Sequence, residues 1–186
     1  IINRGAFGQG GPTVANVWPS IEWAYNSDIE PYTQDLELAA QILADAGWVP
    51  GSATNDAGVA ILEKDGQPLS FSLMTNAGNE TRENIGILMK DVLEDLGFDI
   101  QLDFIEFGTV VQRLLGQEFD AVIIGFQGGP PEPDDSSRFS YVNDEVGAGF
   151  NFVSYYNETV EDSLSEGKTI AGCSEADRAP LYKTMQ

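Results

Sequence analysis

Residues 69–73, Leu69-Ser70-Phe71-Ser72-Leu73, alternate apolar and hydroxyl side chains, the period-two pattern of a strand buried on one face. Downstream, Ile85, Leu88, Met89, Val92, Leu93 and Leu96 recur at helical spacing, and Gly97 stops the pattern. Phe98, Ile100, Leu102 and Phe104 then alternate with Asp99, Gln101 and Asp103 as a second strand. Val110, Val111, Leu114 and Leu115 mark a shorter helix closed by Gly116. Residues 119–124 are apolar at nearly every position, which predicts a third strand in a central place. The order βαβαβ implies parallel neighbours joined by right-handed crossovers. The fold class expected is therefore α/β, with α+β as the alternative.

Working outward, Asp35 is a good N-cap for a helix whose Leu36, Ala39, Leu43 and Ala46 form one stripe and whose stop is Gly47. Residues 1–34, rich in Gly, Pro, Asn and aromatics, read as irregular. Residues 35–125 read as an αβαβαβ core, and 126–186 as a loop followed by helices, all within one domain. Val160 and Leu164 mark one C-terminal helix; Ser174, with Asp177 three residues on, caps the last. Gly8-Gln9-Gly10-Gly11-Pro12 follows no strand and precedes no helix, so it fails as a phosphate loop. Ser52 to Gly58 has the outline of a calcium loop, but Ala53, Asn55 and Ala57 fill the ligand slots, which argues against calcium.

In parallel sheets ligands gather beyond the carboxyl ends of strands. Three connections leave those ends: Thr75-Asn76-Ala77-Gly78-Asn79, Glu106-Phe107-Gly108-Thr109, and Gly125-Phe126-Gln127-Gly128-Gly129-Pro130-Pro131-Glu132-Pro133-Asp134-Asp135. The third spends glycines, prolines and acids far beyond what a turn needs. Candidate ligand-binding residues are therefore Phe126, Gln127, Gly128, Gly129, Pro130, Asp134 and Asn76. Each has a plainer structural reading: a strand exit needing open φ angles for the glycines, and a core plug for Phe126. Asn79 reads first as a helix cap. Trp18, Trp23 and Tyr25 could line an aromatic wall, but packing of the N-terminal segment onto the sheet is the preferred reading. Asn79-Glu80-Thr81 and Asn157-Glu158-Thr159 match glycosylation acceptors and are read as coincidence.

Composition narrows the chemistry. Thirty acidic residues face nine basic ones in 186, a net charge of −21. That argues against nucleic acid and anionic lipid and suits a heavily solvated surface, as in a saline habitat; a cation-binding surface is the sharper alternative. There is no histidine, which removes Ser-His-Asp and Cys-His catalysis and His-ligated zinc. Cys173 is the single cysteine, so no internal disulfide forms, and it reads as a packed or incidental thiol. No metal or cofactor is expected. No apolar run approaches the roughly 18 residues of a membrane span. The chain opens on Ile1 and ends at Met185-Gln186 within a helical pattern, so the expectation is a piece of a longer protein whose targeting signal lies outside it.

Four segments, in order, resemble the solute-binding proteins of peptide- and nickel-type ABC importers, family 5. Residues 35–48 are similar to that family's D-x-x-x-A-x-x-L-L-x-x-A-G-W helix, and residues 62–82 to its next strand and loop. Residues 119–126 are similar to its F-D-A-x-x-x-G-W, and residues 178–186 to its R-x-x-L-Y-x-x-x-Q helix. Tyr155 and Asn157 resemble its Y-x-N turn. The resemblance implies one lobe, the C-terminal one, of a two-lobed periplasmic-binding-protein clamshell. It implies an extracytoplasmic location, free in the periplasm or lipid-anchored, and three partners: a peptide or other small solute, an ABC permease and the protein's own N-terminal lobe. In the peptide-binding branch an aspartate after G-W pairs with the peptide α-ammonium. Gly129 stands at that place, which puts free N-terminus recognition in doubt, and Asp134 and Asp135 lie where the family's D-P-D tends to fall. The rival readings are a carboxylate hydrolase using residues such as Asp134 and Glu106, and a protein-interaction module of the envelope.

Overall fold

A computed structural model describes residues 21–30, 33–125 and 132–186. These fall into two units. Residues 33–111 and 119–124 make the first; residues 21–30, 112–118, 125 and 132–186 make the second.

The first unit opens with α1, Leu36–Asp45, whose N-cap Asp35 accepts a hydrogen bond from the Leu38 amide at 2.9 Å. Three strands follow that the sequence pattern did not announce: β1 (Val49–Thr54), β2 (Ala60–Lys64) and β3 (Gln67–Pro68), an antiparallel sheet in the order β1-β2-β3. β1 carries Pro50 and Gly51 and is exposed at five of its six positions, so it lacks the alternation that reveals a half-buried strand. The would-be calcium loop is the β1–β2 turn. Within it Asn55 is 8% exposed, donates to the Glu94 and Phe98 carbonyls at 2.8 Å each, and accepts from the Val59 amide at 3.0 Å. One amide side chain thus closes the hairpin and ties it to the Glu94 carbonyl at the end of the next helix and to the Phe98 carbonyl just before the following strand.

The second sheet is parallel. β4 (Ser70–Asn76) leads into α2 (Glu80–Glu94), which returns to β5 (Asp99–Ile105); α3 (Phe107–Gly116) then leads to β6 (Ala121–Val122). The strand order is β5-β4-β6, so β4 is central and β6 lies at an edge among the described residues. The sequence expectation of a central third strand is corrected here. Leu73, Met74 and Thr75 are the buried residues of β4, whereas Ala121 to Ile124 are half-buried. Continuous apolar character, without alternation, did not decide position.

β6 pairs through only two registered residues, Leu73↔Ala121 and Met74↔Val122. Side chains extend that hold. The Asp120 carboxylate accepts from both the Ser72 amide and hydroxyl at 2.9 Å, and the buried Thr75 hydroxyl donates to the Ile123 carbonyl at 2.8 Å. The Ser72 amide, then its hydroxyl, hold the Asp120 carboxyl below its ordinary range. Gly97, which ends α2, is at φ +88°, and a Cβ there would lie 2.8 Å from Leu62 Cγ and 3.0 Å from the Ala60 carbonyl oxygen. Conformation and close approach both demand glycine.

The second unit contains the short α4 (Ser136–Phe139), then α5 (Glu158–Thr169) and α6 (Glu175–Thr184). Its core joins Ala24, Val160, Leu164, Tyr182 and Met185, with Ile21, Trp23 and Phe139 packed against it. Trp23 meets the Tyr182 ring edge-on at 5.9 Å. It therefore packs on the C-terminal helices, whereas the sequence reading places it against the sheet. Trp18 lies outside the described residues. Ser174 caps α6 as read from sequence, accepting from the Asp177 amide at 3.2 Å, and Asn157, not singled out as a cap in the sequence, does the same for α5 by accepting from the Val160 amide at 3.2 Å. Asn79 likewise accepts from the Arg82 amide at 3.1 Å. Both Asn-Glu-Thr triplets are helix starts, with an Asn cap and an acid in the first turn. Cys173 is exposed, not packed.

Asn55→Ala should lower unfolding free energy by about 1–3 kcal/mol, because it removes three hydrogen bonds made by one buried side chain and leaves the Val59 amide without its acceptor; urea titration measures it. Gly167→Ala should also destabilise, since its Cβ would fall 2.8 Å from Tyr182 Cζ in a filled core. Overpacking of this kind costs about 1–3 kcal/mol, and pairing it with Tyr182→Leu should recover part of the loss.

Candidate functional site

The carboxyl ends of β4 and β5 place polar groups side by side. Asn76 is the last residue of β4 and is half-buried. Its Oδ1 accepts from Arg82 Nη1 at 2.6 Å, so the first turn of α2 reaches back to the strand end. The connection between them is tightly bonded. The Ala77 amide donates to the Ile105 carbonyl and the Gly78 amide to Glu83 Oε1, both at 2.7 Å. Gly78 takes φ +82°, and α2 begins immediately after Asn79. After β5, Glu106 Oε2 accepts from the Thr109 amide at 3.1 Å, capping α3. This edge thus offers an amide with a guanidinium against it, backbone groups, and a carboxylate already committed to a helix start. Such a set suits hydrogen-bonded recognition.

In the second unit Asp134 is half-buried. It accepts from the Ser136 amide at 3.1 Å and from the Ser136 hydroxyl, and it pairs with Lys168 Nζ at 3.3 Å. Burial pushes its carboxyl up, but the Ser136 hydroxyl and amide and then Lys168 outweigh burial, and the net displacement is downward. Neighbouring Asp135 is 4% exposed and pairs with Arg138, whose Nε lies 2.6 Å from Oδ1. Phe126, Gln127, Gly128, Gly129 and Pro130 lie outside the described residues. Asn76 belongs to the first unit and Asp134 to the second. Arg82 was missed in the sequence reading; its signal was a cation one helical turn after an Asn-capped strand exit. Among the described residues no group of three or more Cys, Asp or Glu side chains could hold a metal ion.

Residues 1–147 match the model of the bacterial extracellular solute-binding proteins, family 5 Middle. The chain belongs to this family. The oligopeptide-binding protein AppA of Bacillus subtilis is 30% identical over 155 residues, covering 81% of this chain and 27% of that protein. The dipeptide-binding protein of Escherichia coli is 24% identical across 100% of this chain and 32% of its own length. The chain therefore spans about a third or less of these relatives. The solved structure of Bacillus subtilis AppA in complex with a nonapeptide superposes with a TM-score of 0.73 at 29% identity, over 88% of this chain and 31% of that one. NikZ of Campylobacter jejuni in complex with Ni(L-His) shares the fold, with a TM-score of 0.72 at 22% identity over 88% of this chain and 31% of that one. The relatives are binding proteins, and the α/β expectation, with its parallel sheet, agrees with the family's solved structures. No helix among the described residues is long and apolar enough to cross a membrane.

Asp134 supplies a pH dependence. Its folded pKa lies below the ordinary 3.8, so it contributes stability that is present above its unfolded value and lost as pH falls through the folded one. Asp134→Asn should therefore flatten the acid side of the stability curve below about pH 4 and leave neutral stability lowered. Thermal melts of both proteins from pH 2.5 to 7 measure this.

Proposed function

We propose that this chain is the C-terminal lobe of the extracytoplasmic solute-binding component of an ABC importer. The complete protein takes an oligopeptide or related small solute between two lobes and delivers it to the permease. Family membership across residues 1–147 carries the proposal. The function involves no chemistry of its own: solute binding favours a closed form over an open one, and the permease reads the difference. On this reading residues 1–186 are one lobe. Asn76 and the loop residues Phe126, Gln127, Gly128, Gly129 and Pro130 supply this lobe's solute contacts at the strand ends, where ligands collect in such sheets.

The local bonding favours this over hydrolysis. Glu106 caps α3, and Asp134 is tied to Ser136 and Lys168, so neither carboxylate is poised as a general acid or base. The same commitment weighs against Asp134 as the partner of a free peptide α-ammonium. With Gly129 at the family's aspartate position, an N-blocked peptide, an oligosaccharide or another solute without a free ammonium fits this lobe at least as well as a free peptide.

The test is a thermal-shift screen of the complete two-lobed protein against free peptides, N-acetylated peptides, oligosaccharides and metal chelates. A solute at 100 times its dissociation constant stabilises by about 2.7 kcal/mol. A shift with blocked peptides or sugars, at least as large as any from free peptides, is the expected result. A shift confined to free peptides would contradict the neutral-loop reading. Silence across every class would contradict solute binding itself and favour a docking module.

A further inference from the structure

Residues 140–157 join α4 to α5, and a 3-10 turn, Tyr141–Asn143, is their only helical or strand element. Polar groups hold this long connection in place. Asn151 is 1% exposed; its side chain donates to the Tyr155 carbonyl at 2.8 Å and accepts from the Tyr155 amide at 3.0 Å. Asp144 Oδ1 accepts from Gln117 Nε2 at 2.7 Å and from the Ser154 hydroxyl at 2.9 Å. Gln117 and Ser154 both sit at positive φ, +55° and +50°, conformations that persist only where the surroundings enforce them. The Gly147 amide donates to the Leu115 carbonyl at 2.6 Å. Glu161 accepts from the Ser140 hydroxyl at 2.8 Å and from the Tyr141 amide. A Cβ on Gly149 would fall 1.7 Å from the Asn143 carbonyl oxygen, so the backbone closes tightly on itself there.

The large apolar side chains of the same segment are left outside. Tyr141, Val142, Val146, Phe150, Val153 and Tyr156 are all more than half exposed, Val142 at 81%. Tyr141 and Tyr156, from the two ends of the segment, meet edge-on with ring centroids 5.5 Å apart, and Phe150 meets Phe152 at 5.8 Å. A loop that only connects carries a polar surface and is mobile. This one is fixed by its polar groups and turns its apolar groups to the exterior. A pre-ordered apolar surface of this kind is the arrangement of a contact face.

Charge and length decide between occupants. A net charge of −21 opposes the close approach of a second copy or of an anionic lipid surface. Further polypeptide of the same protein is tethered, which raises its effective concentration at the face, and this chain spans a third or less of its relatives' length. We infer that the surface of residues 141–156 is a packing face, covered in the complete protein by polypeptide outside residues 1–186. The covering surface is apolar, with hydrogen-bonding groups for the Tyr141 and Tyr156 hydroxyls. The inference rests on the proposed reading of residues 1–186 as one lobe of a longer protein, and the cover is present with or without solute.

The experiment uses the complete protein. The photo-reactive residue p-benzoylphenylalanine replaces Val142 in one variant and Val153 in another, and mass spectrometry maps the peptides joined on irradiation. Both positions should cross-link to peptides outside residues 1–186. In wild type, hydroxyl-radical oxidation should modify Tyr141 and Tyr156 as slowly as Tyr182, which is 0% exposed within this lobe, and added solute should not change this. Cross-links to peptides within residues 1–186, or between two copies, would overturn the inference. So would an absence of cross-links together with oxidation of Tyr141 and Tyr156 well above that of Tyr182. Solute binding is read separately, as the melting shift of wild type. A protein that shifts but gives no such cross-link contradicts this inference alone; one that cross-links but shifts with no solute contradicts only the solute-binding reading.

Discussion

Strand β4 is hydrogen-bonded along both edges, to β5 through seven registered residues and to β6 through two. This is the constraint on which the first unit depends. Parallel neighbours on both sides require crossovers, and the crossovers bring every strand exit to one edge of the sheet. Met74 and Thr75 are each 1% exposed, and as consecutive strand residues they point to opposite faces, so β4 is covered on both faces at this point. The shortness of β6 is offset from its flanks: Asp120 is bonded to Ser72 on one side and Ile123 to Thr75 on the other. The aspartate of the family-like F-D-A segment therefore acts as a fastener for an otherwise weak edge.

Charge scarcity organises the rest. With nine cations in the chain, each one's position is informative. Lys90 binds Asp56 at 2.9 Å, Glu94 at 2.5 Å and the Ile100 carbonyl at 2.8 Å, joining the β1–β2 turn, the α2 end and β5. Burial opposes its charge, but Glu94 and Asp56 outweigh burial, and its pKa lies above the ordinary 10.5. Stability from this lysine is fully present below its unfolded value and lost as pH rises through the folded one. Glu94 is 3% exposed, and a carboxylate so buried requires such a partner.

Much of this was legible in the residues. The β4–α2–β5–α3–β6 order followed from a period that switches between two and 3.6, and Asp35, Asn79 and Ser174 announced their helices as caps. The antiparallel sheet was not legible, because β1 is an exposed strand containing Pro50 and Gly51 and shows no alternation. Asn55 was read as an empty calcium slot because its three partners, Val59, Glu94 and Phe98, lie partly some forty residues away in sequence. The pairing of Asp134 with Lys168 was not legible, because acids in a sequence look alike until their cations are placed, and Lys168 is distant in the chain. Asn76 was located correctly at a strand end, while its bond to Arg82 needed the geometry of the helix start.

Amide hydrogen exchange on the complete protein, with and without the solute that gives the largest melting shift, addresses the site directly. Solute binding at the strand ends is expected to slow exchange in residues 76–83 and 125–130 while leaving the β1–β2 hairpin unchanged. Protection confined to other segments, with both of these stretches unaffected, would contradict the placement of the solute at the carboxyl edge of the parallel sheet.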